Sequence, residues 1–431
     1  MLIIAYYFPP SGGPGVQRVL KMVKYLREFG WQPLVLTVSN GQFPARDESL
    51  LDEIPEDVKV FRIKIFEPYD VYRFLTGKKK GEAIDVNTIK KEGQKSSFKD
   101  KIAEFIRATF FIPDARIGWF FSAKNEVLRI IEDEGIDAVY SSSPPFTCSV
   151  IARHAKRKTG IKWVAGLRDP WTDFIISPKR WWLPKFIDKK MEKSVFKESD
   201  YVECAWLGII SDAMEKYPEL DKSKFKHVPN GFDSEDFPEI VQKENDFFTI
   251  IYTGSLYGRR NPSSLFSAVE ELIKENKVNA EKIKFLFVGR FGQEVEEMFK
   301  KASFTSRIET VSYVPHSESI EYLMRADVLL LIVDESKESK EIVPGKVYEY
   351  IGVEKPVFAI APQQSAISDL IRETNAGKIA HQNEKENLKN IYLDYYESWK
   401  NGKINYKPNY EAIKKYERRN SAKLLAELLL N

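Results

Sequence analysis

A chain of 431 residues that is 43% hydrophobic, 13% aromatic and 30% charged exceeds one ordinary core and has the composition of a folded protein of two or more domains. Its 66 basic and 63 acidic residues leave a net charge of only +3, which excludes a global field drawing the chain to nucleic acid. Two cysteines, Cys148 and Cys204, lie in separate apolar runs and read as reduced core thiols; with only four histidines, they argue against a zinc enzyme.

The chain opens on an apolar segment, Met1 to Phe8, that lacks a basic leader and runs at once into Pro9-Pro10. No secretory signal is expected, and no apolar run reaches the roughly 18 to 20 residues a spanning helix needs. These features predict a cytoplasmic protein. Strands and helices then alternate, the pattern of parallel sheets covered on both faces. Strands are expected at 2–6, 31–37, 138–141, 162–165 and 201–204, with helices at 16–29, 146–158 and 184–197. The Lys-rich insert 77–101, short of aromatics and without period, reads as a loop of the first domain. The acidic stretch 233–246 is the expected linker. A second series follows, with strands at 248–252, 284–288, 308–311, 328–332 and 356–360. Its helices are expected at 262–275, 294–302, 317–325, 345–352 and 366–373, and a last helix at about 410–430 is expected to return to the first domain. The expected domains are therefore 1–240 with 410–431, and 241–409: two doubly wound, Rossmann-like α/β domains facing across a cleft at the C-terminal ends of their sheets.

Five motifs sit at such sheet ends. Pro9 to Arg18 is a glycine-rich turn between strand and helix, where Gly12 and Gly13 permit positive φ and close approach to backbone amides. Its spacing is not that of a dinucleotide turn, and spacing alone fits a plain tight loop equally well. Tyr252 to Pro262 repeats the device, with Gly254 and Ser255 followed by Arg259 and Arg260, whose forks suit phosphate oxygens. Glu341 to Tyr350 places Pro344, Gly345 and Lys346 at a helix start and Glu349 in its second turn. That combination can hold an anion at the tip and accept vicinal hydroxyls beside it, or be an ordinary Lys–Glu surface pair. Arg168-Asp169-Pro170-Trp171 either orients sugar hydroxyls or braces its loop. Pro229 to Asp233 reads as a turn.

Taken together these residues resemble the family-four retaining glycosyltransferases of the GT-B superfamily, in the branch acting on cell-surface polysaccharides. The likeness is carried by YYFPPSGGPGVQR at Tyr6 to Arg18, SSPPF at Ser142 to Phe146, RDPW at Arg168 to Trp171, PNGFD at Pro229 to Asp233 and YTGSL at Tyr252 to Leu256. It runs co-linearly over nearly the whole chain outside the insert. The resemblance implies a hexosyl or N-acetylhexosaminyl transferase using a UDP- or GDP-linked sugar as donor, a glycan or lipid-linked acceptor, and neither cofactor nor metal. It places Glu341 near the transferred sugar, Glu349 on the ribose, and Lys346 with Arg259 or Arg260 on the diphosphate. Gly12, Gly13, Gly254, Ser255, Gly289, Tyr313, Val314, Pro344 and Gly345 are the other expected donor contacts, with Tyr313-Val314-Pro315 framing the base. Arg18, Arg168 and Asp169 are expected on the acceptor side. The family's acceptor-domain histidine is replaced here by the Arg168-Asp169 loop. The alternatives are a nucleotide-sugar 2-epimerase of similar fold and a non-catalytic nucleotide-sugar-binding protein. Finally, Lys179 to Phe186 with Lys189, Lys190 and Lys193 mixes aromatics with cations, which suits an anionic membrane surface or a packed core with a solvated basic helix. A peripheral position on the inner face of the cell membrane is the expectation that follows.

Overall fold

The computed structural model describes every residue except 44, 66–97, 175–176, 240–244, 336–341 and 431. The chain divides into two compact units, Met1–Pro229 with Arg418–Asn431, and Asn230–Glu417.

Unit 1 begins with β1 (Leu2–Ala5), α1 (Pro14–Leu26), β2 (Leu34–Val38) and β3 (Val60–Ile63). After the undescribed stretch come α2 (Phe98–Phe110), α3 (Gly118–Asp133), β4 (Ala138–Ser143), α4 (Thr147–Thr159), β5 (Lys162–Leu167), α5 (Trp182–Glu198), β6 (Tyr201–Cys204), α6 (Leu207–Lys216) and β7 (Phe225–His227). The seven strands are parallel, in the order β3-β2-β1-β4-β5-β6-β7. Strand order reverses between β1 and β4, where Leu2 pairs with Val139 on one side and Leu34 on the other. Both cysteines are buried and unpaired.

Unit 2 repeats the plan with β8 (Phe248–Thr253), α7 (Ser263–Lys274), β9 (Ile283–Val288), α8 (Gln293–Lys301), β10 (Ile308–Val311), α9 (His316–Met324), β11 (Val328–Ile332), α10 (Lys346–Gly352), β12 (Val357–Ile360), α11 (Ala366–Thr374), β13 (Gly377–Ala380), α12 (Lys385–Lys400) and α13 (Tyr410–Lys414). Its six strands are parallel in the order β10-β9-β8-β11-β12-β13. The central strands β8, β11 and β12 are largely apolar and buried because both faces are covered. Phe248, Ile250, Val328 and Leu330 pack into one core, while Ile251, Leu329 and Leu331 point into the other.

The chain then returns to unit 1 as α14 (Arg418–Leu430), which packs along α1. Ala422, Leu425, Ala426 and Leu429 join the core of Val16, Val19, Leu20 and Val23. Arg419 pairs with Glu28 at 3.0 Å, and Ser421 donates to the Pro229 carbonyl at 2.9 Å.

Several boundaries differ from expectation. The units part at Pro229, before position 240, because Phe232 belongs to the second core: it stacks on Phe237 at 5.8 Å, and its amide donates to the Tyr416 carbonyl. That same contact interrupts the expected single helix at 410–430, leaving α13 in unit 2 and α14 in unit 1. Of the insert, residues 98–101 lie in α2, and 77–97 fall outside the described residues.

Candidate functional site

The C-terminal edge of the unit 2 sheet gathers residues expected to meet the donor, at the point where strand order reverses between β8 and β11. Gly254, φ +114°, follows β8 and donates its amide to Val288 at 2.8 Å. Gly289, φ +144°, follows β9 and donates to Val311 at 2.8 Å. A side chain at Gly289 would strike the Gly254 carbonyl, and one at Gly254 would strike the Lys346 ammonium. The two glycines are therefore dictated both by backbone conformation and by space.

Lys346 opens α10 and reaches across to β8. Its ammonium donates to the Tyr252 hydroxyl at 2.7 Å and the Thr253 carbonyl at 2.8 Å, and lies 4.1 Å from the centre of the Tyr252 ring. The phenol passes the chain on, donating to the Ser255 carbonyl at 3.0 Å. Tyr350, one turn along α10, accepts from the Thr253 amide at 2.9 Å and ties the helix to the same strand. No carboxylate among the described residues pairs with Lys346. Burial, reinforced by the Arg260 guanidinium and opposed by Glu349, lowers its pKa to about 7. The i,i+3 pair with Glu349 that the sequence allowed does not form.

Of the two arginines, Arg260 faces this group. Its Nη2 is 3.4 Å from Asp334 and its Nε is buried without a partner, whereas Arg259 is exposed and unpaired among the described residues. Glu349 is held by His316: the ring Nε2 lies 3.0 Å from Oε1. The Arg290 guanidinium stacks over the exposed Tyr313 ring, 5.1 Å from its centre, beside Val314. Ser255 is exposed; Pro344 and Gly345 are half-buried and lead into α10. Glu341 lies outside the described residues. His316, Arg290, Tyr252 and Tyr350 are missing from the sequence-derived site. Each adjoins or bounds a stretch already singled out: His316 follows Tyr313-Val314-Pro315, Arg290 follows Gly289, and Tyr252 and Tyr350 bound their motifs.

In unit 1 the structure separates the acceptor-side residues. Gly12 donates to the Ala45 carbonyl at 3.0 Å, and Gly13, φ +102°, leads into α1. Arg18 is corrected to a structural role: it is 2% exposed, ion-paired with buried Glu203, and donates to Val228 and Pro229 carbonyls at 2.8 and 3.0 Å. The ion pair with Glu203 already balances its charge within unit 1. Arg168 braces its loop, donating to Ser142 Oγ at 2.6 Å and to the Pro144 carbonyl. Asp169 has no hydrogen-bond or ion-pair partner among the described residues; burial raises its pKa, against the pull of Arg168. No group of three or more His, Cys, Asp or Glu side chains among the described residues is arranged to hold a metal ion.

Residues 233–418 match the family model described as glycosyl transferases group 1, nearly the whole of unit 2. No curated protein matches the chain by sequence. Solved structures resemble it over its full length. HepE from Anabaena, in complex with UDP and glucose, is 14% identical with a TM-score of 0.61, covering 100% of this chain and 99% of that one. TarM from S. aureus, in complex with UDP among other ligands, is 9% identical with a TM-score of 0.59, covering 100% and 99%. A UDP-N-acetylglucosamine 2-epimerase homologue from Listeria monocytogenes is 14% identical with a TM-score of 0.53, covering 98% and 94%. At such identities the likeness establishes the fold. Residues 233–418 are thus similar to the glycosyl transferases group 1 model, in a chain with the two-domain GT-B fold.

Proposed function

We propose that the chain is a retaining, metal-independent glycosyltransferase that moves a hexosyl or N-acetylhexosaminyl group from a UDP- or GDP-linked sugar to a glycan or lipid-linked acceptor in polysaccharide biosynthesis. The observation that carries this reading is Lys346, a cation held by neutral oxygens beside Arg260 with no carboxylate partner among the described residues. Such a group is poised for an anion. As the sugar–phosphate bond breaks, charge grows on the diphosphate, and cations fixed there stabilise the transition state more than the ground state. Glu349, oriented by His316, keeps Oε2 for the ribose hydroxyls, and the Arg290–Tyr313 stack offers a platform for the base. Glu341 is assigned to the sugar by resemblance alone. Asp169, with no hydrogen-bond partner among the described residues, is the unit 1 group best suited to receive an acceptor hydroxyl. The UDP bound in HepE and TarM supports a uridine donor over a guanosine one.

The test is to incubate the protein with UDP- and GDP-sugars and assay free nucleoside diphosphate with and without candidate acceptors. Acceptor-dependent release that survives EDTA is expected. Loss of turnover in EDTA restored by magnesium or manganese overturns the metal-free assignment. Epimerised donor formed without acceptor would identify the epimerase alternative, which the Listeria likeness keeps in view.

A further inference from the structure

No described helix is long and apolar enough to cross a membrane. α5 is nonetheless inside out. Its buried positions include two carboxylates, Asp188 and Glu192. Asp188 accepts from Trp171 Nε1 and Arg180 Nε, each at 2.8 Å. Glu192 accepts from Thr172 Oγ1 at 2.6 Å and Tyr217 Oη at 2.7 Å. Meanwhile Trp182 and Phe186 are 73% and 54% exposed, with Leu183 and Ile187 beside them. A helix stabilised only by its own unit turns its apolar stripe inward.

Arg180 joins a second segment to this face. Its guanidinium donates to the carbonyls of Ala108, Phe111 and Pro113, at 2.6, 2.8 and 2.8 Å, and Trp181 Nε1 donates to Thr109 at 2.9 Å. The end of α2 is thereby fixed beside the start of α5, and it carries Phe105 and Phe110, 58% and 70% exposed. Four lysines border the aromatics. Lys179 is exposed and unpaired among the described residues, and Lys190 lies over the Phe186 ring at 5.0 Å. Lys185 and Lys189 share a single carboxylate, Asp173, at 2.7 and 3.0 Å.

We propose that this α2–α5 face of unit 1 docks the protein on an anionic lipid membrane. Rigid aromatic side chains suit the headgroup boundary, where one end of a ring is apolar and the other wet. Lysine stems extend over the same surface and place their ammonium groups among lipid phosphates. A second copy is the poorer occupant, because a two-fold contact would bring this surplus of lysines against itself. The inference deepens the lipid-linked-acceptor part of the reading above and rests on it for its biological purpose alone.

The experiment is vesicle flotation of the full chain at low and high salt, with phosphatidylcholine alone and with phosphatidylcholine mixed with phosphatidylglycerol. Co-flotation is expected with the mixed vesicles only, and it should fall at least about tenfold in the doubly substituted Trp182→Ala/Phe186→Ala protein or at high salt. Lys179→Glu/Lys190→Glu should weaken it comparably while leaving the UDP-induced thermal shift unchanged, so a failure here leaves the sugar-transfer reading standing. No flotation with anionic vesicles at low salt overturns the proposal. So does binding that survives both double substitutions, or a dimer that Trp182→Ala dissociates and that ignores vesicles.

Discussion

Arg18 and Lys346 are both cations drawn into the edge of a parallel sheet by a helix that follows a glycine-bearing turn, one in each unit. Arg18 meets a carboxylate. Burial works against its charge, yet Glu203, with Tyr140 donating to the same carboxylate at 2.8 Å, holds the guanidinium above its ordinary range. Among the described residues Lys346 bonds only to a phenol and a carbonyl, and burial with a neighbouring guanidinium drives it down to about 7. The first charge is already balanced by the fold. The second has no carboxylate partner among the described residues, the difference on which its proposed diphosphate role rests.

That contrast can be broken most directly at Arg18. Arg18→Ala leaves Glu203 as an unpaired buried charge, and stability should fall by about 3–5 kcal/mol, read by urea or thermal unfolding. An unchanged Tm would mean the pair is not structural. Lys346→Ala should do the reverse: kcat for transfer falls on the order of 10²–10³ while Tm holds or rises. Arg260→Ala should resemble it. Titration sharpens the point. A bound diphosphate favours the protonated ammonium, so its pKa rises on binding and UDP affinity should decline as pH climbs above about 7. Calorimetry across that range should show the decline in the native protein and a flatter profile in Lys346→Met.

A smaller effect is expected at Glu349. Glu349→Gln removes a charged acceptor of roughly 1.5–3 kcal/mol, weakening UDP about 10- to 150-fold whatever sugar it carries. Equal effects on binding from Glu341→Gln, which should impair transfer instead, would show that the two roles are misassigned. The smallest effect belongs to Arg259→Ala, whose exposed, unpaired side chain should leave kcat within about twofold.

Central strands were legible in the sequence because they are wholly buried. Phe248–Thr253 and Val328–Ile332 lie where their residues predicted. The edge strands β3 and β13 were not, being four residues long and partly exposed, so little apolar pattern marks them. The break at Tyr416 was invisible for another reason: local propensity favoured one helix, and a tertiary contact with Phe232 overrode it. The site divides similarly. Glycines, arginines and the Lys346–Glu349 spacing could be read locally. The bond from Lys346 to Tyr252 spans 94 residues and exists only because β8 and β11 are neighbours, an adjacency no local motif encodes. Arg18 misled because a conspicuous arginine in a glycine loop looks the same whether its carboxylate comes from the substrate or from Glu203.

The return of α14 to unit 1 has a consequence for how the molecule is made. Unit 2 is an insertion within unit 1, so the ribosome delivers all of Asn230–Glu417 before Ala422, Leu425, Ala426 and Leu429 can cover α1. Through that interval a nascent unit 1 shows a greasy flank to solvent or to a chaperone, and its maturation waits on α14. Unit 2 is contiguous in the chain and can close as it emerges, so the half translated second is the one able to finish first.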